Sequence, residues 1–445
     1  MTMPSRFLAT PFSRLSLAVA LATTAASAQA APPQFSDARA FGMGGTGVAA
    51  ARPSGAALLN PSLLAADHSG WNDGFAVTLP SVNARYAENE DVVDEVDQIQ
   101  DTIEQLETAI NSINSNNPSQ SDIDTAQNQA GQLATQLRGV NNEFVRGDGG
   151  LGTLFAVPSP TLGVGLHANA QLRATVESRI DPKDLEALDR VANLNNPKNA
   201  NDIENALGSL YDSGEINPKS DGRVLASAVG EIGLTLATSF NIQGQDLNIG
   251  VTPKLVQMRT FDYAQGVDDF DEDDFDAAEY ETDDSHINVD IGASTDLGAE
   301  NQWRLGASVR NLIPQTLKTV KDNNLSKIYD QKEMTLDPLV TVGVAHTSSW
   351  HTLTADVDLT KNEGIGPAAD QQWVALGGEF NVYDWINLRA GARQNLASET
   401  GANGIEEETQ YTAGFALSPW ALRIEAGALA SSEEVGGSVE LGMSF

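Results

Sequence analysis

Side chains that could perform acid–base or metal chemistry are few in this chain. It has five histidines and no cysteine, which excludes thiolate chemistry and cysteine metal sites. None of the histidines has metal-ligand spacing. His286, which follows Asp283 and Asp284 closely, is the one Asp–His pair that the sequence shows, and such a pair could serve a hydrolase. We therefore expect no enzyme activity, no catalytic residue and no cofactor.

An acidic segment at residues 268–276 is the densest source of oxygen ligands. Calcium or magnesium could bind there, as could ions that bridge lipopolysaccharide. The segment lacks the Asp-x-Asp-x-Asp-Gly frame of a dedicated calcium loop. Runs of like charge usually repel each other and stay solvated, so the sequence favours a solvated loop and assigns no metal site.

The elements that must position any site are strands, because apolar and polar residues alternate in fourteen segments. In the last segment Val435, Val439, Leu441, Met443 and Phe445 share one face, up to the aromatic C-terminal residue. Strands with one apolar and one polar face are what a transmembrane β-barrel requires. The predicted strands are 73–86, 149–158, 161–177, 223–240, 247–263, 284–297, 301–312, 336–347, 350–360, 370–383, 385–398, 407–417, 419–431 and 433–445.

Long and short connections alternate along the chain. The long ones cover about 87–148, 178–222, 264–283 and 313–335, and tight links lie between them. Transmembrane barrels have long extracellular loops and short periplasmic turns, and an even strand number returns both termini to the periplasm. The sequence therefore predicts an all-β fold, a transmembrane antiparallel barrel of about fourteen strands.

The first long connection, residues 87–148, is predicted to be a helical, coiled-coil-like insert. Apolar residues step by four and three from Val92 to Ile113 and again from Ile123 to Val140, which indicates an antiparallel helical hairpin. The hairpin either folds on itself for stability alone, or offers a contact surface to a protein partner over residues 90–141. Residues 179–222 are partly helical and are expected to cap the barrel mouth.

Export is predicted from the N-terminus. Two arginines, an apolar stretch and small-residue cleavage sites form a signal peptide over residues 1–30. No later stretch has the roughly 18 apolar residues of a membrane-spanning helix. The mature chain, residues 31–445, has 24 basic and 61 acidic residues, a net charge near −37. Such a chain repels nucleic acid, so we expect one barrel domain in the cell outer membrane and no nucleic-acid partner.

A glycine-rich stretch and an Asn-Pro-Ser motif lie between the signal peptide and the first strand. No strand precedes the glycines and no Gly-Lys-Ser follows them, so they do not form a phosphate-binding loop. Glycines at these positions permit tight backbone packing. The residues are Phe41, Gly42, Met43, Gly44, Gly45, Asn60, Pro61 and Ser62.

These motifs, the fourteen strands and the terminal Phe445 resemble the FadL family of outer-membrane fatty-acid transporters. In that family a glycine-rich N-terminal segment with an Asn-Pro-Ala motif plugs the lumen as a hatch, and Asn60-Pro61-Ser62 departs from the motif at one residue. The sequence of the N-terminal segment and the helical insert show a closer similarity, to the conjugal transfer protein TraF family of Gram-negative bacteria. The resemblance implies a hatch over residues 31–66, contact with membrane lipid and lipopolysaccharide, and insertion by the barrel assembly machinery.

Charged residues fall on the predicted lumen face of several strands. Arg389, Arg393 and Arg423 lie on nearby strands and could form a basic strip for a carboxylate. The alternative is a ladder of ion pairs that stiffens the wall and fixes the hatch, in which Glu440 is a candidate partner of Arg423 or Arg39. The lumen-lining candidates are Arg173, Lys254, Arg389, Arg393, Arg423, Glu425 and Glu440.

Two functions follow from the resemblances. The FadL resemblance implies passive uptake of a small hydrophobic or amphipathic molecule past the hatch. The TraF resemblance implies an outer-membrane component of a conjugal transfer or cell-contact apparatus, acting through the helical hairpin. An open lumen favours transport, and a sealed lumen with a partner on the hairpin favours the interaction role.

Overall fold

The computed structural model describes residues 37–66, 75–88, 92–113, 119–266, 278–321, 330–362, 364, 370–383, 385–397 and 409–444. The predicted signal peptide, the acidic segment 268–276 and Phe445 lie outside these residues.

Fourteen antiparallel strands form a closed barrel, which confirms the predicted fold class. The last strand pairs with the first, and Val77 lies opposite Met443. The strands are β1 (Ala76–Glu88), β2 (Phe144–Val157), β3 (Gly163–Arg179), β4 (Asp221–Ile242), β5 (Gln245–Gly266), β6 (Glu281–Leu297), β7 (Trp303–Arg310), β8 (Leu339–Thr347), β9 (His351–Asp358), β10 (Trp373–Tyr383), β11 (Ile386–Asn395), β12 (Gln410–Leu417), β13 (Leu422–Ala430) and β14 (Glu434–Ser444).

The two faces of the wall differ in chemistry, because side chains alternate between them. Leu151, Leu255 and Leu376 are among the exposed apolar residues on the outside, whereas Asn169 and Arg173 are buried on the inside. Exposed aromatic side chains gather near the short turns, as in the aromatic girdle of a membrane barrel. They are Trp303, Trp350, Tyr383, Trp385 and Trp420.

Connections are tight at one end of the barrel and long at the other. Gln243 and Gly244 link β4 to β5 with φ of +56° and +88°, as in the type I′ hairpins that match strand twist. The long connection after β7 contains an extra hairpin, in which Gln315–Lys318 pairs with Glu333–Leu336. The link from β13 to β14 departs from the alternation, since three residues join these strands at the long-loop end.

A helical domain stands at the long-loop end. It contains α3 (Val92–Ser112) and α4 (Gln120–Gly139) from the first long loop, and α5 (Pro182–Ala192) and α6 (Ala200–Leu207) from the second. Side chains from both loops form one apolar core, which includes Leu106, Leu133, Leu188 and Ile203. Residues 179–222 were predicted to cap the barrel mouth. Their helices pack against the helical hairpin and bury apolar side chains of the hairpin in the shared core.

The N-terminal segment, residues 37–66, lies inside the barrel. Its short helices α1 (Ala38–Gly42) and α2 (Pro53–Leu59) are followed by a 3₁₀ turn, Pro61–Leu64. Alanine and leucine side chains of the segment pack against inward residues of the wall such as Leu154 and Ala237. Among the described residues, none of the helices is long and apolar enough to cross a bilayer.

Candidate functional site

Asn60 links two parts of the N-terminal segment, the 3₁₀ turn at Pro61–Leu64 and the backbone at Val48. Its Oδ1 accepts a hydrogen bond from the backbone N–H of Ser62 at 3.1 Å, and its Nδ2 donates to the carbonyl of Val48 at 2.7 Å. The first bond caps the 3₁₀ turn. Ser62 Oγ lies 3.0 Å from Ser294 Oγ on β6, so the turn also contacts the wall directly.

Two pairs of wall glycines receive this segment. Gly250 and Gly292 are directly opposite on β5 and β6. A Cβ at Gly292 would overlap Asn60 Oδ1, and one at Gly250 would overlap the backbone of Pro61 and lie 2.5 Å from Ser62 N. Only residues without a side chain allow this close approach. Neither glycine was predicted as part of the site; inward-facing glycines within alternating strands are the signal that could have found them.

The second pair receives the glycine-rich stretch. Gly377 and Gly391 are directly opposite on β10 and β11, and a Cβ at either would overlap the backbone at Met43 or Gly44. Gly44 N also donates to Thr412 Oγ1 at 2.8 Å. The backbone of the N-terminal segment therefore lies directly on the backbone of the wall at two separate places.

Glu379 is the main electrostatic anchor of the segment. Its carboxylate accepts hydrogen bonds from Arg39 at 3.1 and 3.2 Å and from Arg52 at 2.9 Å. Arg389, on the neighbouring strand β11, donates to the same carboxylate at 2.7 Å. Three cations thus share one buried anion. Of the two alternative partners predicted for Glu440, Arg39 pairs with Glu379, and Arg423 pairs with Glu440.

The ion pairs continue around the wall to the start of α1. Arg389 pairs with Glu425 at 2.6 Å, and Arg423 joins Glu425 at 3.0 Å to Glu440 at 2.9 Å. Glu440 also accepts from the backbone N–H of Ala38 at 3.2 Å. Arg389 and Arg423 are therefore engaged in a ladder of ion pairs, and their charges are not free to form a basic strip.

Asp37 begins α1 and is buried beside this ladder. Its side chain accepts from the Ala40 N–H at 2.7 Å and caps the helix. Burial raises the pKa of Asp37 above its ordinary value, and the Ala40 N–H opposes this by stabilising the carboxylate.

The other predicted lumen residues occupy separate clusters. Arg173 pairs with Asp148 at 2.6 Å. Lys254 lies between Glu231 and Asp290, at 2.8 and 3.0 Å. These groups neutralise one another inside the wall, as is required for charges removed from bulk water.

Arg393 stands apart from these clusters. Its guanidinium lies 4.2 Å from the centre of the Trp373 ring, and its Nε donates to Gln410 Oε1 at 2.5 Å. A cation over an indole face is held by the ring quadrupole. The predicted trio of Arg389, Arg393 and Arg423 is thus divided between two environments.

A cavity of about 110 Å³ lies over the N-terminal segment, on the side of the long loops. Phe41, Gly44, Gly45, Val48 and Leu59 of the segment form part of its lining. The wall contributes both polar and apolar side chains, which are Arg85, Arg310, Leu339, Asp356, Asp358, Trp373, Arg393 and Leu429 among others. The site is therefore amphipathic, and the N-terminal segment is part of it.

Within the described residues there is no cluster of three or more histidine and carboxylate side chains that could hold a metal ion. Asp284, next to His286 in the lumen wall, accepts a hydrogen bond from Gln315 at 2.6 Å.

The closed fourteen-stranded barrel, its apolar exterior and its aromatic girdle define an outer-membrane β-barrel protein. The barrel is FadL-like in its fold. The chain belongs to the family described as "F plasmid transfer operon, TraF, protein", whose model matches residues 57–358.

Solved structures share the fold at low sequence identity. The "TodX deltaS2S3 mutant monoaromatic hydrocarbon channel" is 12% identical, with a TM-score of 0.51 over 92% of this chain and 99% of that one. The toluene transporter TbuX of Ralstonia pickettii is 12% identical, with a TM-score of 0.49 over 93% and 99%. A FadL homologue of Pseudomonas aeruginosa is 10% identical, with a TM-score of 0.44 over 94% and 100%. No curated protein matches the sequence.

Proposed function

We propose that the protein is an outer-membrane channel that admits a small amphipathic molecule passively from outside the cell, past the N-terminal segment acting as a hatch. The observation that carries the proposal is the cavity over that segment. Its lining includes Phe41, Val48 and Leu59 of the segment itself, so movement of the segment changes the binding site. A molecule in the cavity is thereby coupled to the barrier that it must pass.

The composition of the cavity favours an amphipathic molecule over a purely apolar one. The TodX structure with the same fold is titled a monoaromatic hydrocarbon channel, and a neutral hydrocarbon needs an apolar pocket. Here charged residues such as Arg310 and Asp358 share the lining with Leu339 and Trp373. An entirely apolar molecule placed against Arg310 would displace water from the guanidinium without offering it a hydrogen-bond acceptor, which costs free energy.

A reversible cross-link tests whether the hatch must move. Ser62 and Ser294 have their Oγ atoms 3.0 Å apart, and the chain has no cysteine of its own. The double variant S62C/S294C should therefore form a single disulfide between the hatch and β6. Uptake into liposomes is measured as the excess over protein-free liposomes, because small neutral probes such as toluene enter a bilayer unaided. We expect this uptake of benzoate, benzamide or toluene to fall to background in the oxidised variant and to return on reduction.

The matched controls are S62C and S294C alone, which should transport as the unmodified protein does under both redox conditions. Unchanged uptake in a fully oxidised double variant would contradict passage by hatch movement. Absence of uptake of all three probes by the unmodified protein would contradict the channel function as a whole.

The family description supports a second candidate, an outer-membrane component of a conjugal transfer apparatus. The helical domain stands outside the barrel and bears acidic, exposed residues such as Asp101 and Glu104 on α3. Its apolar seam is covered by α5 and α6, so a protein partner would bind these polar faces. D101K/E104K should then reduce transfer frequency while leaving uptake unchanged; normal transfer by this variant would contradict the candidate.

A further inference from the structure

We propose that Arg310 is an anion-binding residue of the lumen, and that the molecule admitted is a monocarboxylate with a small apolar body. This inference rests on the proposed channel function and specifies the substrate class. It comes from the position of the Arg310 guanidinium and from its few hydrogen bonds. The ion-pair clusters described above do not include Arg310.

Arg310 is the last residue of β7 and lines both the cavity over the N-terminal segment and a neighbouring one of about 40 Å³. Among the described residues it makes one hydrogen bond, a long one of 3.5 Å from a terminal nitrogen to the carbonyl of Leu58. Its Nε has no hydrogen-bond partner among these residues. Within the described residues no carboxylate oxygen lies within 4.0 Å of the guanidinium. This contrasts with Arg39, Arg389 and Arg423, which each bond to carboxylates.

The carboxylates around Arg310 are already bonded to other groups. Asp290 accepts from Lys254 and from the backbone N–H of Asn311. Asp358 accepts from Thr341 Oγ1 at 2.7 Å and from the backbone N–H of Trp373 at 3.0 Å. The donors of Arg310 therefore remain available to a molecule in the cavity.

Asp356 limits the charge that the site accepts. One of its oxygens accepts from the backbone N–H groups of Gly47 and Val48, at 2.7 and 2.9 Å. The other oxygen has no partner and belongs to the same cavity lining as Arg310. This negative group opposes a second anionic charge on the ligand, so one carboxylate suits the site better than two.

The guanidinium and the apolar lining together select the ligand class. The planar fork of an arginine matches both oxygens of a carboxylate, and such charge-assisted bonds are stronger than neutral ones. Phe41, Val48, Leu339 and Leu429 supply apolar surface in the same cavity. A compact molecule with an apolar ring or short chain next to one carboxylate satisfies both parts of the lining.

Three ring compounds that differ in one substituent test the inference on the full-length protein in detergent. Benzoate carries the carboxylate, benzamide has the same shape without the charge, and toluene has a methyl group instead. We expect benzoate to bind the unmodified protein at least tenfold more tightly than benzamide, by equilibrium dialysis. R310Q should abolish this preference, and R310K should retain part of it because the charge remains without the fork.

The matched control is R304Q on the same strand and the same face. Arg304 pairs with Asp296 at 2.6 Å near the short turns, outside both cavities, so R304Q should keep the preference for benzoate. Assembly of each variant is checked by heat-modifiable gel mobility. The comparison of benzoate with benzamide on the unmodified protein tests the substrate class without any variant, and R310K still tests the role of Arg310 if R310Q does not assemble.

The outcomes separate this inference from the channel function. Equal binding of benzoate and benzamide, or a benzoate preference that survives R310Q, overturns the role of Arg310, whatever the uptake assay shows. Arg310-dependent binding of benzoate without uptake of any probe into liposomes overturns the channel function and leaves the binding site standing.

Discussion

Gly250 and Gly292 lie directly opposite each other on adjacent strands, and the chain at Asn60 and Pro61 rests on both. The two glycines form a flat patch on the inner wall, as Gly377 and Gly391 do beneath Met43 and Gly44. Since a strand glycine costs conformational entropy and gives no packing, its presence at both positions is explained by the contact that it permits. The Asn-Pro-Ser motif and the wall are thus fitted to each other.

Gly292→Ala should destabilise the barrel. The new methyl group would overlap Asn60 Oδ1, and overpacking of this kind costs about 1–3 kcal/mol. We expect the heat-modifiable transition to fall in temperature. Gly230→Ala on β4 is the matched control, because no atom lies within 4 Å of its added Cβ. Equal transition temperatures for the two variants would contradict the fit.

Asn60→Ala tests whether that cost arises at Asn60. The single change removes the bonds to Ser62 and Val48 and should cost about 1 kcal/mol, as for other lost caps. It also removes the oxygen that the methyl group added at Gly292 would overlap. The loss of stability in the double variant N60A/G292A should therefore be smaller than the sum of the losses in the two single variants, as measured by a double-mutant cycle. Additive losses would place the clash elsewhere.

Glu379→Gln should release the N-terminal segment. Arg39, Arg52 and Arg389 would lose their shared anion, and breaking a buried ion pair from one side costs about 3–5 kcal/mol. We expect trypsin to cleave after Arg39 in the variant and to spare this bond in the unmodified barrel, with products identified by mass spectrometry; the Arg52–Pro53 bond resists trypsin in either case.

Glu333→Gln provides the comparison for that experiment. Glu333 pairs with Lys318 in the hairpin after β7, where both side chains are exposed. Surface ion pairs contribute about 0–1 kcal/mol, so this variant should resist trypsin as the unmodified protein does. Cleavage at the same sites in both variants would show that Glu379 has no particular role.

Leu188→Ala should loosen the first long loop although the residue lies in the second. Leu188 on α5 is fully buried in the core shared with α3 and α4, and such a truncation costs about 2–5 kcal/mol. We expect faster hydrogen exchange in α3 and α4 with an unchanged barrel. Leu185→Ala, at a partly buried position on the same helix, should have a smaller effect. Exchange confined to α5 would contradict a single core.

The strands were predictable because a membrane barrel imposes alternation on each of them separately. Residues such as Leu166 and His167 reveal their faces without knowledge of any partner strand, and the predicted 161–177 corresponds closely to Gly163–Arg179. Tight links between the strands, such as the one at Gln243 and Gly244, follow from turn chemistry, which is also local.

The site was less predictable because it depends on register between distant segments. Nothing local distinguishes Arg310, which lacks a carboxylate partner, from Arg389, which has two. Likewise Glu440 could be matched to Arg423 from neighbouring strands, whereas the pairing of Arg39 with Glu379 depends on where the N-terminal segment lies in the lumen.

The shared core of the helical domain also constrains the order of assembly. Its two halves are separated in the chain by β2 and β3, so the shared core is complete only after the second loop has also crossed the membrane. Burial of this core then rewards the correct placement of four consecutive strands at once. The domain thus stabilises this part of the barrel only late in assembly. A barrel that stalled after β2 would expose an incomplete helical core at the cell surface.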